Sequence, residues 1–203
     1  FINGENAGLL TDSCYLQSDA QETYGYASLV NITAINLADQ SIISSRCVNS
    51  AVEGLSVSRD SLYLTGTIWG ANYGVREQTV IHKFNLDETG ANYAATGSVT
   101  GYIGHNSDPA FKVHEHNNDL RVVTTTGNAW AGDIAHHLWI LEENSGALNT
   151  VANLPNSKRP APIGKPGEDI YAVRFEGDKS HIVTFRRTDP LYTIDLSDRL
   201  DPK

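Results

Sequence analysis

The residues best suited to chemistry are two histidines, His114 and His116, on either side of Glu115. Residues two apart on a β-strand project to one face, and imidazole is a common zinc ligand, so the pair offers two corners of a metal site. A third ligand would come from elsewhere, and His105, Asp108, His136 and His137 are candidates by nearness in sequence. With a metal bound, the chemistry would be metal-assisted hydrolysis. The competing and preferred reading is a polar wall that happens to carry two histidines. A second polar cluster, Arg186, Arg187 and Asp189, has the guanidinium donors of an anion or carboxylate clamp. Asp189-Pro190 also opens a turn, however, and an arginine that pairs with such an aspartate is ordinary turn construction, which is the preferred reading here.

Other catalytic patterns are missing from the sequence. Neither the G-x-S-x-G of serine hydrolases nor the G-x-x-x-x-G-K-S/T of phosphate-binding loops occurs, and no D-x-D/N-x-D/N-G string supports a calcium loop. Glu142-Glu143 and the Asp195/Asp198 pair follow strand-like runs and read as solvated turn residues rather than as a general acid and base.

Recognition is better served. The connections IWGANYGVREQ and NAWAGDIAH carry Trp69, Tyr73 and Trp130, while GSVTGYIGHNSDP and NLPNSKRPAPIGKPGED add Tyr102, Lys158 and Arg159. Aromatic and arginine side chains on loops are the usual anchors of binding surfaces. The expected binding residues are therefore Trp69, Tyr73, Tyr102, Trp130, Lys158 and Arg159. The competing expectation is that both tryptophans fold back over sheet edges.

These loops must be carried by strands. A short apolar run ending in a polar turn recurs four times, as ITAINLADQ, IHKFNLDETG, LWILEENSG and LYTIDLSD. The copies align on Ile35, Phe84, Leu141 and Ile194, a repeat of about 50 residues that suits a propeller blade with loop insertions. Ahead of the later copies stand SLYLTGT, DLRVVTTTG and KSHIVTFRR, each after a turn, and before those GLSVS, AFKVHEH and IYAVRF. The turns Arg59-Asp60, Asn117-Asn118-Asp119 and Glu176-Gly177-Asp178 hold residues that tolerate positive φ. GANYAATGSV and GALNTVANL add a fourth strand to two of the units. Valine, isoleucine, threonine and tyrosine alternate with period two, and no long amphipathic helix competes.

The expected class is all-β: a β-propeller fragment of about three to four four-stranded antiparallel blades, with a β-sandwich as the alternative. Residues 1–28 form an N-terminal segment that could serve as an edge strand of a neighbouring blade. Residues 29–50 are a partial blade, 51–100 and 109–154 are blades, and 168–203 is a blade lacking its outer strand. In such units the four aromatic- and cation-bearing connections share one end, and His114 and His116, on an inner strand, are expected near the mouth of the central channel.

Composition sets bounds on the partner. The chain of 203 residues has 15 basic and 24 acidic residues and a formal net charge of −9, which opposes nucleic acid and anionic membranes. No apolar run is long enough to insert in a membrane. The sequence contains no methionine, so it is expected to be cut from a longer protein. Its two cysteines, Cys14 and Cys47, lack metal-ligand spacing and could pair or stay free. An incomplete ring is expected to self-associate through its open edges. Alternatively, Leu9 to Gln17 would fold back as the missing strand and close a small ring.

The stretch from Tyr171 to Lys203, YAVRFEGDKSHIVTFRRTDPLYTIDLSDRLDPK, resembles the secreted C-terminal β-propeller family distantly related to WD-repeat proteins. The family block reads much like YxVRFxGDRAYVVTFRxxDPLFVIDLSDPxNPK. The match is strongest at Val173-Arg174-Phe175, Thr184-Phe185-Arg186 and Asp189-Pro190-Leu191, and a looser likeness, including TTTGN at Thr124 to Asn128, extends back to about Leu29. Ser180-His181 and the run from Asp198 to Pro202 depart from the pattern. The resemblance implies a secreted or envelope-associated, extracytoplasmic propeller in a larger chain, and it brings no catalytic residues. The expected function is thus non-enzymatic binding or scaffolding, with a protein or glycan as partner. No cofactor is expected beyond the metal ion that the histidine pair could take. A metal-dependent hydrolase is the alternative.

Overall fold

The computed structural model describes residues 14–16, 29–69, 77–103, 109–128, 131–186 and 190–203. Among them almost everything regular is β-strand. The strands are β1 (Cys14–Leu16), β2 (Leu29–Ile35), β3 (Ile42–Asn49), β4 (Gly54–Val57), β5 (Ser61–Ile68), β6 (Gln78–Asp87) and β7 (Gly90–Thr100). They continue with β8 (Val113–His116), β9 (Asp119–Thr126), β10 (Ala135–Asn144), β11 (Ala147–Leu154), β12 (Asp169–Glu176), β13 (Lys179–Phe185) and β14 (Leu191–Asp195).

Hairpin pairing dominates because the turns between strands are short. Asn117 and Asn118 both take positive φ (52° and 66°), as do Ser145 and Gly146 (52° and 84°), the geometry of a tight turn that matches strand twist. The Arg59-Asp60 turn differs from expectation. Neither residue has positive φ, and the turn is closed by Ser58 N donating to Ser61 O at 2.9 Å, with Ser58 Oγ accepting from Ser61 N at 3.1 Å. At the β6–β7 turn, Asp87 accepts from both the amide and the hydroxyl of Thr89 (2.7 and 2.6 Å). Asp195 and Ser197 repeat that device after β14. The AFKVHEH segment is strand only from Val113, since Pro109–Lys112 forms a 3-10 turn that leads into it.

Strand order shows two antiparallel meanders, β4-β5-β6-β7 and β8-β9-β10-β11, joined at their outer strands into one eight-stranded sheet. The junction is a single parallel bridge between Thr96 and Ala147. It requires Gly97, where a Cβ would stand 2.4 Å from Leu148 O. At the inner edges Ser56 Oγ donates to Val113 O at 3.1 Å, so the two meanders touch at both margins. A three-stranded sheet flanks them on each side, with orders β1-β3-β2 and β12-β13-β14.

Side chains alternate along each strand, so a sheet in the middle of the stack must be apolar on both faces. β5 illustrates this, because Leu62 and Leu64 face the first sheet with Val48 and Phe84, while Tyr63 faces β8–β11 with Leu120, Val122 and Leu141. β9 and β10 behave likewise, with Val123, Leu138 and Ile140 turned toward Ile170, Val173 and Ile182 of the last sheet. The flanking sheets are buried on one face only and expose Leu29, Ile35 and Ile42 at one end and Tyr171, Phe185 and Leu191 at the other.

Cys14 and Cys47 face each other in the parallel register of β1 and β3 and are joined by a disulfide. Cys14–Leu16 therefore lies against the first sheet, which overturns the expectation that Leu9 to Gln17 supplies a strand to the last one; the rest of that segment lies outside the described residues. At the C-terminus, Asp195 and Lys203 exchange backbone hydrogen bonds of 2.5 and 2.9 Å, so the chain returns alongside β14.

Candidate functional site

Because the strands are antiparallel, all hairpin turns fall at one end of the sheets and the longer connections at the other. The connection end holds an aromatic pair. Tyr102 is pinned by reciprocal backbone bonds with Thr125 (2.8 and 2.9 Å), and its hydroxyl donates to Gly127 O at 3.1 Å. Its side chain is buried, and Trp69 lies against it with ring centroids 5.4 Å apart. Trp69 itself is 50% exposed, so a buried ring supports a half-exposed one.

Two carboxylate residues flank this pair. Glu77 accepts the Gly101 amide at 2.7 Å through its backbone oxygen. Asp133 closes on Gly127, where φ is +67° and a Cβ would lie 2.7 Å from Asp133 Oδ1. That oxygen accepts the Asn128 amide at 2.9 Å. Burial pushes the Tyr102 hydroxyl up to about 12, and the charges of Asp169, Glu77 and Asp133 add to the shift. Asp169 also acts on Lys112, which is buried and donates to Ile103 O at 2.8 Å; burial pushes its ammonium down to about 8 against the pull of Asp169. His136, a candidate third ligand, is buried here, with Nε2 2.9 Å from Glu168 O and Nδ1 3.0 Å from Thr125 Oγ1. A carbonyl can only accept, so Nε2 carries the proton, and burial holds the ring below the ordinary histidine range. His137 bonds Thr126 Oγ1 through Nε2 at 3.2 Å.

Lys158 and Arg159 sit elsewhere, on a separate apolar cavity of about 640 Å³ lined by Leu154, Pro162, Ile163 and Tyr192. Arg159 is engaged in a fork on Asp201 (3.2 and 2.8 Å), which pulls the Asp201 carboxyl below its usual range. The structure thus brings Trp69 and Tyr102 together, while Lys158 and Arg159 line a cavity to which neither of them contributes. Tyr73, Trp130, His105, Asp108, Arg187 and Asp189 lie outside the described residues; Arg186 lies against Gly167.

At the hairpin end a polar cavity of about 1180 Å³ gathers turns from the two meanders and the last sheet. Glu115, 14% exposed, accepts from Ser58 and Ser61 and lies 3.7 Å from Lys83 Nζ. Lys83 also reaches Glu143 Oε2 at 2.8 Å and stands 5.9 Å above the Tyr63 ring. Burial, reinforced by Glu115, raises the Tyr63 hydroxyl. Arg199 forks Asp119 through two bonds of 2.7 Å and reaches Glu142 at 2.7 Å, and these bonds raise its guanidinium further. Arg121, buried, donates to Gly177 O at 2.5 Å.

His114 and His116 do share a face, with ring centroids 6.4 Å apart, and that face packs on the β12–β13 hairpin, while His116 also lines the polar cavity at the hairpin end. His114 stacks on Phe175 at 5.4 Å, and His116 Nε2 lies 3.3 Å from Asp178 Oδ1. The pleat aims this pair of side chains at the neighbouring sheet. Burial, then the charges of Arg121 and His116, lowers the His114 imidazole. Among the described residues, no group of three His, Cys, Asp or Glu is arranged to hold a metal.

Glu77 and Asp133 went unread in the sequence although they stand in the same connections as Trp69 and Trp130; acids beside loop aromatics were the available signal. The hairpin-end network had a fainter one, a charged residue at each turn.

Residues 4–203 match the family described as beta propeller domain, and the chain belongs to that family. It is 38% identical over 128 residues to the uncharacterized protein MJ1554 of Methanocaldococcus jannaschii, a match covering 63% of this chain and 18% of the relative. An uncharacterized protein of Archaeoglobus fulgidus is 35% identical over 129 residues, covering 63% of this chain and 17% of the relative. The matched part of the chain therefore spans less than a fifth of the length of these curated relatives.

Proposed function

We propose that this propeller segment is a non-enzymatic binding or scaffolding module that recognises a protein or glycan through its connection end, outside the cytoplasm. The observation that carries the reading is Trp69, half exposed and held in place by the buried, hydrogen-bonded Tyr102. A pre-positioned aromatic loses little freedom on binding, which favours it as an anchor. The Cys14–Cys47 disulfide supports an oxidising compartment. The blade assignment belongs to the same proposal. Residues 29–50 would be part of a first blade edged by Cys14–Leu16, 51–100 and 109–154 two complete blades, and 168–203 a further one. No described feature favours the hydrolase alternative.

The test is retention of wild-type and Trp69→Ala protein on an array of immobilised glycans and peptides. Ligands that hold the wild type and release the variant by about ten-fold or more are expected. Equal retention of both proteins on every ligand overturns the connection end as the binding site.

A further inference from the structure

β1 has three residues, and among the described residues its strand partner is β3, in parallel register. Parallel pairing is the less stable kind, and so short a ladder does not offset the freedom lost when three residues are fixed. Two other contacts hold β1 in place: the Cys14–Cys47 disulfide, and Tyr15, whose ring stacks on Tyr93 with centroids 4.7 Å apart. The stack is partial, because Tyr15 is 41% exposed. The two cysteines also differ, Cys47 being fully buried and Cys14 exposed. β1 in turn covers the edge of β3 that faces away from β2, from Cys47 to Asn49. It also covers part of Tyr93, whose ring meets Phe84 edge-on at 5.3 Å in the core between the first sheet and β4–β7. A bare strand edge is what sheets are ordinarily built to avoid.

We propose that β1 is a redox-held strap: the disulfide keeps it on the first sheet, and reduction by a dithiol releases it and lays bare the edge of β3 together with Tyr93. A thiolate of the reductant attacks the sulfur of the exposed Cys14, forming a mixed disulfide and expelling the Cys47 thiolate. The second thiolate of the reductant then attacks its own sulfur in that mixed disulfide and releases Cys14. The reductant ends as a disulfide, having given up two electrons, and the two protons that it loses end on Cys14 and Cys47. With both thiols free, the short ladder and the partial ring stack are all that remain to hold β1.

Hydrogen–deuterium exchange in a pulse of about ten seconds tests this on the oxidised chain, the chain treated with dithiothreitol, the pair Cys14→Ser with Cys47→Ser, and Tyr15→Ala. Thiol counting comes first. Dithiothreitol without denaturant is expected to free both cysteines, and a bond that resists it until the chain is unfolded overturns the strap. In the reduced chain and the double-serine variant, peptides holding Cys14–Leu16 and Cys47–Asn49 are expected to exchange about ten-fold faster or more. Peptides of β9 and β10 should stay protected through the same pulse. Tyr15→Ala with the disulfide intact is expected to remain within about two-fold of the unaltered chain at Cys47–Asn49, and reoxidation should restore protection there. Unchanged protection at Cys47–Asn49 after reduction would mean that β1 holds without its crosslink, which overturns the inference. Equal loss in β3, β9 and β10 would make the disulfide a staple of the whole fold and also overturn it. So would a Tyr15→Ala loss as large as that caused by reduction.

Discussion

Lys83→Met is the sharpest probe of how the meanders are held together. Lys83 is 9% exposed, lies 2.8 Å from Glu143 and 3.7 Å from Glu115, and so ties β6 of one meander to β8 and β10 of the next. Methionine fills much the same volume and keeps the contact with Tyr63, so the substitution chiefly removes the charge. Removing one partner of a fully buried pair costs about 3–5 kcal/mol, because the other charge is left without a counter-ion. Here the cost is smaller. Glu115 keeps Ser58 and Ser61 as donors, and Glu143 is 31% exposed and can hydrate. A loss of about 2–3 kcal/mol follows. Urea denaturation at pH 7.5 measures it, with Glu115→Gln completing a double-mutant cycle whose coupling should exceed about 1 kcal/mol. Arg59→Ala is the control, because Arg59 meets Asp60 at 3.8 Å with both side chains almost fully in water (93% and 82% exposed). A Lys83→Met loss no larger than that of Arg59→Ala would refute the argument that this network is dry.

Three further outcomes are expected. Replacing both cysteines by serine frees a crosslink between residues 33 apart and should lower stability by about 3–4 kcal/mol in the chain-entropy account; a loss below about 1 kcal/mol contradicts it. His114 and His136 both titrate below the ordinary histidine range in the folded chain, so between their lowered folded values and about 6.5 the unfolded state binds more protons. Their contribution is complete above about 6.5 and lost as pH falls below it, so the urea midpoint should drop between pH 7.5 and 5.5. Around His114 stand Arg121, His116 and Glu115 with Phe175 and Asp178 of the last sheet, and His114→Phe, which keeps the ring stack, should shrink the drop; an unchanged drop refutes the assignment. The exposed apolar faces of the two flanking sheets should make the isolated segment self-associate, and light scattering that finds only monomer at high concentration refutes this.

The strands were legible because hairpin turns and β-branched alternation are local. Asn117-Asn118 and Ser145-Gly146 announce their turns, and the runs on either side of each turn hold the observed β8 to β11. The joining of two meanders at Thr96 and Ala147 was not legible, since it depends on a close approach that Gly97 permits only once both sheets exist. His114 and His116 were found as a pair, but which neighbour they face is set by sheet stacking, and Phe175 lies far along the chain. The hairpin-end network is less visible still, with Arg199 and Asp119 separated by 80 residues. Glu142 and Asp195 looked like solvated turn residues; Asp195 does cap a turn with Ser197, whereas Glu142 binds Arg199. Of the aromatic set, Trp69 and Tyr102 came together because both connections leave the same end of their strands.

The central claim is that ligands bind at the connection end, and hydrogen–deuterium exchange of the whole chain, with and without the tightest ligand from the array, tests it most directly. Ligand should slow exchange in peptides spanning Trp69, Gly101–Ile103 and Thr126–Asn128. Peptides spanning Ser58–Ser61 and Asn117–Asp119 at the hairpin end should be unchanged. Protection confined to those hairpin-end peptides would place the site in the polar cavity and contradict the account.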